Sequence, residues 1–444
     1  MAVETNAEIG RVIAAVHRQG YVDLEAVERA LRASAVGCAA KALEEMLRAV
    51  GVGRRSEPVR CVCKTVMRSI GVRAKRVQTL LGWIRFERSA YVCPRCGKTR
   101  YPGDEELDVV DTCRSPGLRR QASRLGAKET FQEVATDLAE LAGIHLCRKD
   151  AERVAEGEGR RMETWMAKER QALRWQEPPP PETPKTIETL YIELDGTGVP
   201  MVPGELERRK GKQPDGAAKT REAKVGCVFT QTLLDDEGKP KRDPASTSMV
   251  GAIEEAAVFG WRLYCEAVRR GLFYAKQVVV LGDGAQWVKN IAQTHFGMAQ
   301  FIIDYYHASE HIGGLCLALF DRDLRRVDDY RTRWTGYLWD GNVEAIVDEA
   351  TAMLPKDPSA KKDARTQIGY FQKNKAHMHY ADYRQKHLFI GSGVVEAACK
   401  HLVGSRLKQS GMEWTVQGAN AIIALRSVVL SNRMEEYWEQ RAAA

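Results

Sequence analysis

The chain has 444 residues, enough for two to four domains of about 100–200 residues each. Hydrophobic residues make up 44% and charged residues 28%, a globular composition that argues against extensive disorder. No apolar run approaches the roughly 20 residues of a transmembrane helix, and the acidic N-terminus lacks the apolar core of a secretory signal. We therefore predict a cytoplasmic location with no membrane association, and expect the 11 cysteines to be free thiols or metal ligands.

Residues 1–54 are predicted to form an N-terminal helical region of short amphipathic helices, with Gly20 and Gly51 as breaks. The apolar residues that recur there at helical spacing are Val12, Ile13, Val16, Leu24, Val27 and Leu31.

Residues 51–100 form a strongly basic block. They contain 13 lysines and arginines against two acids, Glu57 and Glu87. A block this basic suits a polyanion, and nucleic acid is the commonest one in a cell, although a solvated basic face is an equally good interpretation. The residues that fit a surface gripping phosphates are Arg73, Lys75, Arg76, Arg85 and Arg88.

Cysteines bound a predicted zinc-ribbon-like module at residues 55–115, which also holds a strand-like run over Leu80–Phe86. Cys93 and Cys96 form one half of a zinc knuckle, with two thiolates on a tight turn. Cys61 and Cys63 would form the other half, although their one-residue spacing departs from the usual CxxC. Cys113 is an alternative fourth ligand, and reduced buried thiols are the alternative to a structural Zn²⁺ site.

Residues 116–176 predict a helical domain whose Phe131–Ala142, Gly143 and Cys147–Glu156 have helix-turn-helix spacing. Arg148, Lys149 and Arg153 would lie on the recognition helix and contact DNA. Two helices joined at a glycine are also common in domains that do not bind DNA. Four consecutive prolines then predict a stiff linker at 177–186, the clearest domain boundary in the sequence.

After the linker the pattern becomes strand-like. Thr189–Leu194 leads into Asp195-Gly196, and Lys276–Leu281 leads into Gly282-Asp283-Gly284. Further strands are predicted at Lys224–Leu234 and Gln300–Ile303, with a polar basic loop at 204–221. An Asp-Gly after a strand is usually only a turn. Two in matching positions instead suggest a cluster of carboxylates at strand ends, where oxygen ligands select Mg²⁺ or Mn²⁺.

Two metal ions about 3.5–4 Å apart at a phosphodiester need a further acid from elsewhere in the chain. Glu396 is the candidate, because glycines at 391 and 393 allow an abrupt helix start with an acid in its first turns. Lys400, Arg406 and Lys408 follow on the same segment and could contact phosphates.

Three blocks of this sequence resemble those of the ISKra-type insertion-sequence transposases of bacteria. They are LDGTGVPM, VVVLGDGAQWVKN and GSGVVEAACKHLVGSRLKQSGMEW, and the resemblance covers roughly residues 55–440. It implies an α/β fold, with an RNase H-like mixed sheet and a helical insertion, preceded by the zinc-binding module and the helix-turn-helix-like DNA-binding domain. It also implies a DDE triad of Asp195, Asp283 and Glu396.

The separation of 113 residues between Asp283 and Glu396 exceeds what a minimal RNase H-like fold needs. By similarity to Mutator-like transposases, the core would comprise residues 187–309 and 389–444, with a helical insertion at 310–388. The motif Asp304-x-x-His307 resembles a signature of that wider group and implies a supporting role in the site, although a histidine satisfied near a strand end is the alternative for His307.

The implied reaction is hydrolysis of the transposon end by metal-activated water, followed by attack of the freed 3′ hydroxyl on target DNA. Two Mg²⁺ or Mn²⁺ ions would be held per active site, with Asp195 bridging them and Asp283 and Glu396 each completing one coordination shell. The implied partner is double-stranded DNA, both the terminal inverted repeats and the target. A homodimer or larger homo-oligomer is expected because two ends must be paired, and the bound protein would be associated with the nucleoid.

Two other functions remain open. One is a domesticated, zinc-containing, sequence-specific DNA-binding protein that no longer cuts, which would have no need to keep three acids in costly positions. The other is an RNase H-like nuclease acting on RNA or branched DNA, which would not need a separate half for reading transposon ends.

Overall fold

The computed structural model describes residues 23–174, 187–211, 218–321 and 323–443, together with residues 10, 11, 13, 14, 17 and 216. The predicted linker at 177–186 lies outside the described residues, as do Val12, Val16 and Gly20. The chain divides into two compact units, residues 1–158 and 159–444, and this division falls within a helix.

Helix α1 (Leu24–Val50) of the first unit is longer than the short helices that the sequence predicted, and residues 10, 11, 13, 14 and 17 before it are also helical. Asp23 caps its start by accepting a hydrogen bond from the Ala26 amide. Gly51 ends it in the left-handed conformation at φ 70°, as its position in the sequence predicted.

A basic hairpin follows, made of β1 (Arg68–Thr79) and β2 (Gly82–Val92), with the two-residue β3 (Thr99–Arg100) beside β2. The predicted strand over Leu80–Phe86 is wrong at its start, because Leu80 and Leu81 form the turn between the two strands. The apolar signal of that run belongs partly to the turn, whose leucines pack inward.

The other helices of the first unit are α2 (Pro102–Glu106), α3 (Pro116–Gly126), α4 (Phe131–Ala142) and α5 (Arg148–Ala172). A capping box of Thr130 and Glu133 starts α4, and Gly143 ends it in the left-handed conformation. The predicted succession of helix, glycine and helix is therefore present, although α5 runs much further than Glu156.

The second unit contains a mixed five-stranded sheet and a separate pair of short strands. The bounds of the strands are β4 (Ile187–Pro200), β5 (Thr220–Gln231), β6 (Leu233–Leu234), β7 (Pro240–Lys241), β8 (Ser248–Ala252), β9 (Ala275–Gly282) and β10 (Gln300–Ile303). The spatial order of the five-stranded sheet is β10-β9-β4-β5-β8. Strand β4 pairs parallel to β9, and β9 pairs parallel to β10, whereas β5 is antiparallel to both β4 and β8.

Helices α6 (Ala256–Arg269) and α7 (Gln286–His295) alternate with these strands. A helical region then fills the space between β10 and the last segment, as the sequence predicted. Its members are α8 (Tyr305–Phe320), α9 (Leu324–Trp339), α10 (Val343–Ala352), α11 (Pro358–Asn374) and α12 (Tyr380–Gln385). The chain continues with α13 (Gly393–Ala398), a π-helical turn (Cys399–Gly404), α14 (Ser405–Leu407), α15 (Val416–Leu430) and α16 (Met434–Ala443).

Successive side chains of β4 point to opposite faces of the sheet, and the two faces pack against different parts of the second unit. Leu190, Ile192 and Leu194 join the apolar core that includes side chains of α6 and α7. Tyr191, Glu193 and Asp195 have the opposite parity. Tyr191 stacks on Phe229 of β5 with ring centroids 5.0 Å apart, and the segment that carries Glu396 packs on this second face.

Candidate functional site

The four predicted zinc ligands of the first unit lie together. Cys61 Sγ is 3.5 Å from Cys96 Sγ, Cys63 Sγ is 3.5 Å from Cys93 Sγ, and all four sulfurs lie within 4.8 Å of one another. Four sulfurs placed tetrahedrally at 2.3 Å from Zn²⁺ would be about 3.8 Å apart. The cluster therefore fits a Zn²⁺ ion, and Cys113 is not a member of it.

Tight turns explain why the one-residue spacing of Cys61 and Cys63 works. The Cys61 amide donates to Thr65 O, with Lys64 in the left-handed conformation at φ 65°. In the other half, the Cys93 amide donates to Lys98 O, and Gly97 has φ 71°. Hydrogen bonding from Thr65 lowers the pKa of the Cys63 thiol to about 6. That thiol is therefore largely a thiolate at neutral pH, the form that binds metal.

The predicted basic residues of the first unit differ in what they contact. Lys75 donates to Asp104 Oδ2 at 2.9 Å and to the Val109 carbonyl, and its side chain is half-buried. Because Lys75 is already engaged in this internal ion pair, the structure argues against the predicted contact of Lys75 with phosphate. Arg88 also pairs with Asp104. The other three predicted hairpin contacts, Arg73, Arg76 and Arg85, are exposed.

The first turns of α5 present exposed cations at the three predicted positions. Arg148 is exposed, Lys149 pairs with Glu152 at 2.6 Å, and Arg153 lies 3.5 Å from Asp150. Exposed ion pairs between residues three apart on a helix contribute only a few tenths of a kcal/mol. They leave these side chains free to exchange their partner for a phosphate.

In the second unit, two of the predicted acids follow or lie beside paired parallel strands. Asp283 comes directly after β9, whose register with β4 ends at Glu193 opposite Leu281. The sequence predicted that Asp195 lies at the end of a strand. This prediction is wrong, because β4 continues through Asp195 to Pro200 and is paired with β5 over that length. Asp195 lies at the point where β9 stops pairing with β4, so it sits at the same edge of the parallel part of the sheet.

Local hydrogen bonds hold each of these aspartates. The Asp195 carboxylate accepts from the Gly196 amide at 2.6 Å and contacts Cys399 Sγ at 3.5 Å. The Asp283 carboxylate accepts from the Ala285 amide at 2.8 Å, and the Asp283 carbonyl accepts from the Tyr370 hydroxyl at 3.2 Å. The helical region thus contributes a direct contact to the backbone of Asp283.

Glu396 is exposed in the first turns of α13. Burial and the negative charges of Asp304 and Asp195 raise its pKa. Burial, with a further contribution from Asp283, raises the pKa of Asp195. Asp195 is therefore within electrostatic reach of both Asp283 and Glu396, and the three offer the oxygen ligands that Mg²⁺ or Mn²⁺ prefers.

The carboxylates are nevertheless less closely gathered than the thiols. Over the described ranges, Cys61, Cys63, Cys93 and Cys96 are the one group of potential metal ligands close enough to hold a single ion as they stand. Like charges repel without a cation between them. A site with two ions about 3.5–4 Å apart also spreads its ligands more widely than a single-ion site.

His307 lies in the first turn of α8, where its amide is hydrogen-bonded to Asp304 Oδ1 at 2.7 Å. The imidazole is half-buried, 3.7 Å from Glu310 and 4.9 Å from the His311 ring. It is close enough to Asp195 for its charge to offset part of the rise in the pKa of that carboxyl. The histidine predicted from the sequence is therefore beside the acids.

The cations after Glu396 have different surroundings. Lys400 and Lys408 are exposed, and Lys408 Nζ donates to Thr197 Oγ1 at 2.5 Å. Arg406 is completely buried beside Trp414 and Met412, so the predicted DNA contact of Arg406 is wrong. Arg406 lies just after the π-helical turn. Arg426 pins the turn by donating to the carbonyls of His401 and Leu402.

Sequence reasoning missed Glu193 and Cys399. Glu193 is fully buried, and burial, together with the charges of Asp304 and Glu396, raises its pKa to about 8 despite a hydrogen bond from Val395. Its signal in the sequence was an ionisable residue inside an apolar strand, two positions before Asp195. Cys399 carried no signal, because only the fold brings its thiol to Asp195.

No family model matches the chain. The chain is 23% identical over 399 residues to the "UPF0236 protein in vanSb 3′region" of Streptococcus gallolyticus, covering 83% of this chain and 75% of the relative. This is a distant relationship that extends over most of both sequences.

Among solved structures, a chain of the Drosophila P element transposase strand transfer complex aligns with 76% of this chain and 84% of its own length. The sequence identity is 7% and the TM-score 0.24, too low to establish a shared fold. Over the described part of the chain, none of the helices combines the length and the apolar character of a transmembrane segment.

Proposed function

We propose that this chain is a DNA transposase of an ISKra-type bacterial insertion sequence, acting through Asp195, Asp283 and Glu396. The observation that best supports the proposal is that Asp195 is within electrostatic reach of both Asp283 and Glu396, although the three acids come from distant segments of the sequence. A protein that only bound DNA would gain nothing from carboxyls such as Asp195 and Glu396, whose pKa is raised by burial and then by neighbouring negative charge.

The fold supports an RNase H-like catalytic core. The mixed sheet, with β4 and β9 parallel and β5 antiparallel, is followed by a helical region and then by the helix that carries the third acid. This is the order that an RNase H-like core with a helical insertion at 310–388 requires. The helices at 305–385 and the hydrogen bond from Tyr370 to Asp283 O agree with an insertion that is part of the site.

Bound Mg²⁺ or Mn²⁺ would activate the attacking oxygen and stabilise the leaving oxygen at a phosphodiester. Asp195, Asp283 and Glu396 would hold the metal through their carboxylate oxygens. Lys400 and Lys408, exposed on the segment after Glu396, would bind phosphates and orient the strand. His307, beside Asp195, would help to orient the acids or a phosphate.

The first unit would supply the DNA-reading part. The thiol cluster would hold structural Zn²⁺, and exposed Arg73, Arg76, Arg148, Lys149 and Arg153 would contact the backbone of the terminal inverted repeats. Assembly as a homodimer or larger oligomer on DNA, and a cytoplasmic location with nucleoid association, also belong to this proposal.

The test is a strand-transfer assay with purified protein, Mg²⁺ and the DNA ends that flank its own gene. We expect joined products from the wild type, and a loss of at least about 10³-fold in Glu396→Gln and Asp195→Asn, because losing several kcal/mol of transition-state stabilisation costs about tenfold per 1.4 kcal/mol. Duplex binding should remain nearly intact in both variants.

Matched controls are Glu413→Gln and Asp236→Asn, since both acids are exposed and neither belongs to the site. Retained cleavage in Asp195→Asn would remove that residue from the mechanism. Sequence-specific binding without any cleavage by the wild type would indicate the DNA-binding protein, and cleavage of unrelated RNA or branched DNA would indicate the nuclease.

A further inference from the structure

The helix that carries Glu396 has an unusual start. Ser392 is at its N-cap position, but the hydroxyl does not cap the helix. Instead, the hydroxyl and the amide of Ser392 both donate to Asp304 Oδ2. The amide of Val395, the third residue of the helix, would ordinarily bond to the N-cap side chain. In this helix it donates to Glu193 Oε2 at 2.8 Å.

The capping group therefore comes from a strand 202 residues away in sequence. Glu193 and Asp304 are 0% and 1% exposed, so neither carboxyl can exchange its partner for bulk water. A buried amide that loses its acceptor bears the full cost of its desolvation. These two carboxyls consequently fix where the helix begins.

The spacing of two contacts aligns the helix with β4. Glu193 contacts residue 395, and Asp195, on the same face of the strand, contacts Cys399. Two residues of a strand span about 6.6 Å, and four residues of a helix span about 6 Å. The two steps match closely, and Glu396 lies between the two contact points.

We propose that Glu193 is a positioning residue, which supplies the N-terminal cap of α13 from inside β4 and so sets the position of Glu396 relative to Asp195. The role of Glu396 rests on the proposed function, whereas the capping itself does not. Asp304 provides the second anchor through Ser392. Glu193 contacts neither DNA nor metal in this role, because its carboxyl is enclosed between the sheet and the helix.

Hydrogen exchange followed by mass spectrometry tests the capping without requiring catalysis. In Glu193→Ala, the peptide covering residues 390–400 should exchange about tenfold faster than in the wild type, since a buried hydrogen bond is lost. Glu193→Gln keeps an accepting oxygen and should retain most of the protection. Ser392→Ala, which leaves β4 untouched, should loosen the same peptide through the second anchor.

A matched control separates local positioning from general destabilisation. Glu266 is also a buried carboxyl of the second unit, paired with Arg269, so Glu266→Ala should lower the melting temperature without selectively loosening residues 390–400. Unchanged protection of that peptide in Glu193→Ala, or a Gln variant as defective as the Ala variant, would overturn the proposal.

Two further readouts connect the cap to the site. With Mn²⁺ alone, calorimetry should show weaker binding to Glu193→Ala than to Glu193→Gln. In strand transfer, kcat should fall about 100-fold in the Ala variant with KM for DNA unchanged, because a displacement of about 1 Å can cost that much. Loss of protection in a protein whose wild type never cuts DNA would leave the cap standing and reject the transposase. Normal protection and normal activity in Glu193→Ala would reject the capping role and leave the transposase proposal intact.

Discussion

The thiol cluster and the acid site reach their geometry by different routes. The four thiols belong to two tight turns, each closed by its own backbone hydrogen bonds, and they lie within 4.8 Å of one another. The acids come from β4, from the end of β9 and from α13, and only tertiary contacts bring them together. Thiols carry a charge at neutral pH only where their pKa is lowered, as at Cys63, whereas every carboxylate that joins a cluster adds to the repulsion.

The difference teaches where metal binding should contribute to folding. Around the four thiols the buried apolar cluster is small, so a structural Zn²⁺ would supply much of the stability of that part of the first unit. In the second unit, a large core already holds the sheet and helices. There the metal would relieve an electrostatic penalty instead of creating the fold.

Removing zinc should therefore produce the largest effect. Zinc-finger peptides owe about 10–16 kcal/mol to their metal, more than the stability of most domains. We expect Cys93→Ser, or a strong chelator, to abolish protection from hydrogen exchange over residues 55–115 and to weaken binding of specific duplex DNA.

Cys113→Ser is the control, since this exposed cysteine lies outside the cluster. Elemental analysis should find one zinc per chain in the control and none in Cys93→Ser. An unchanged melting profile, with no zinc in the wild type, would show that the four thiols are merely reduced cysteines.

Loss of a thiol ligand should destabilise the first unit, whereas removal of one negative charge from the acid site should stabilise the metal-free protein. The pKa of Asp195 is raised, by burial and then by the charge of Asp283, so its ionised form is disfavoured in the folded state. The penalty is present at neutral pH and disappears as the pH falls through that raised pKa. Asp283→Asn should therefore stabilise the metal-free protein at pH 7, raising Tm by about 2 °C.

With Mg²⁺ the wild type should melt above Asp283→Asn. The ion binds and stabilises the folded wild type, whereas the variant has lost one of the ligands of the ion. The measurement is thermal unfolding at pH 7 with EDTA or with Mg²⁺, and with Asp236→Asn as the exposed control. A metal-free Asp283→Asn protein that melts below the wild type would mean that the carboxylates do not repel each other as inferred.

The sequence was informative wherever the signal was local. The glycines that end α1 and α4 and the segments that carry the acids were all predicted from residue types and spacing. The continuation of β4 through Asp195 was not, because Asp-Gly favours a turn locally and only pairing with β5 overrides that preference. The burial of Arg406 was not predicted either, because neither its residue type nor its spacing indicated the π-helical turn that precedes it.

The acid site also contains a thiol, that of Cys399. Substitution of Cys399 should give the smallest effect. Its thiol touches Asp195 at 3.5 Å, and burial raises its pKa well above the usual range, so the sulfur is a neutral hydrogen-bond donor. Zinc ligands in the other cluster must be thiolates. Cys399→Ala should therefore change kcat by less than about fivefold, the cost of one weak hydrogen bond. A larger loss, with Cd²⁺ binding far more tightly to the wild type than to Cys399→Ala, would make this sulfur a metal ligand and the acid site a mixed one.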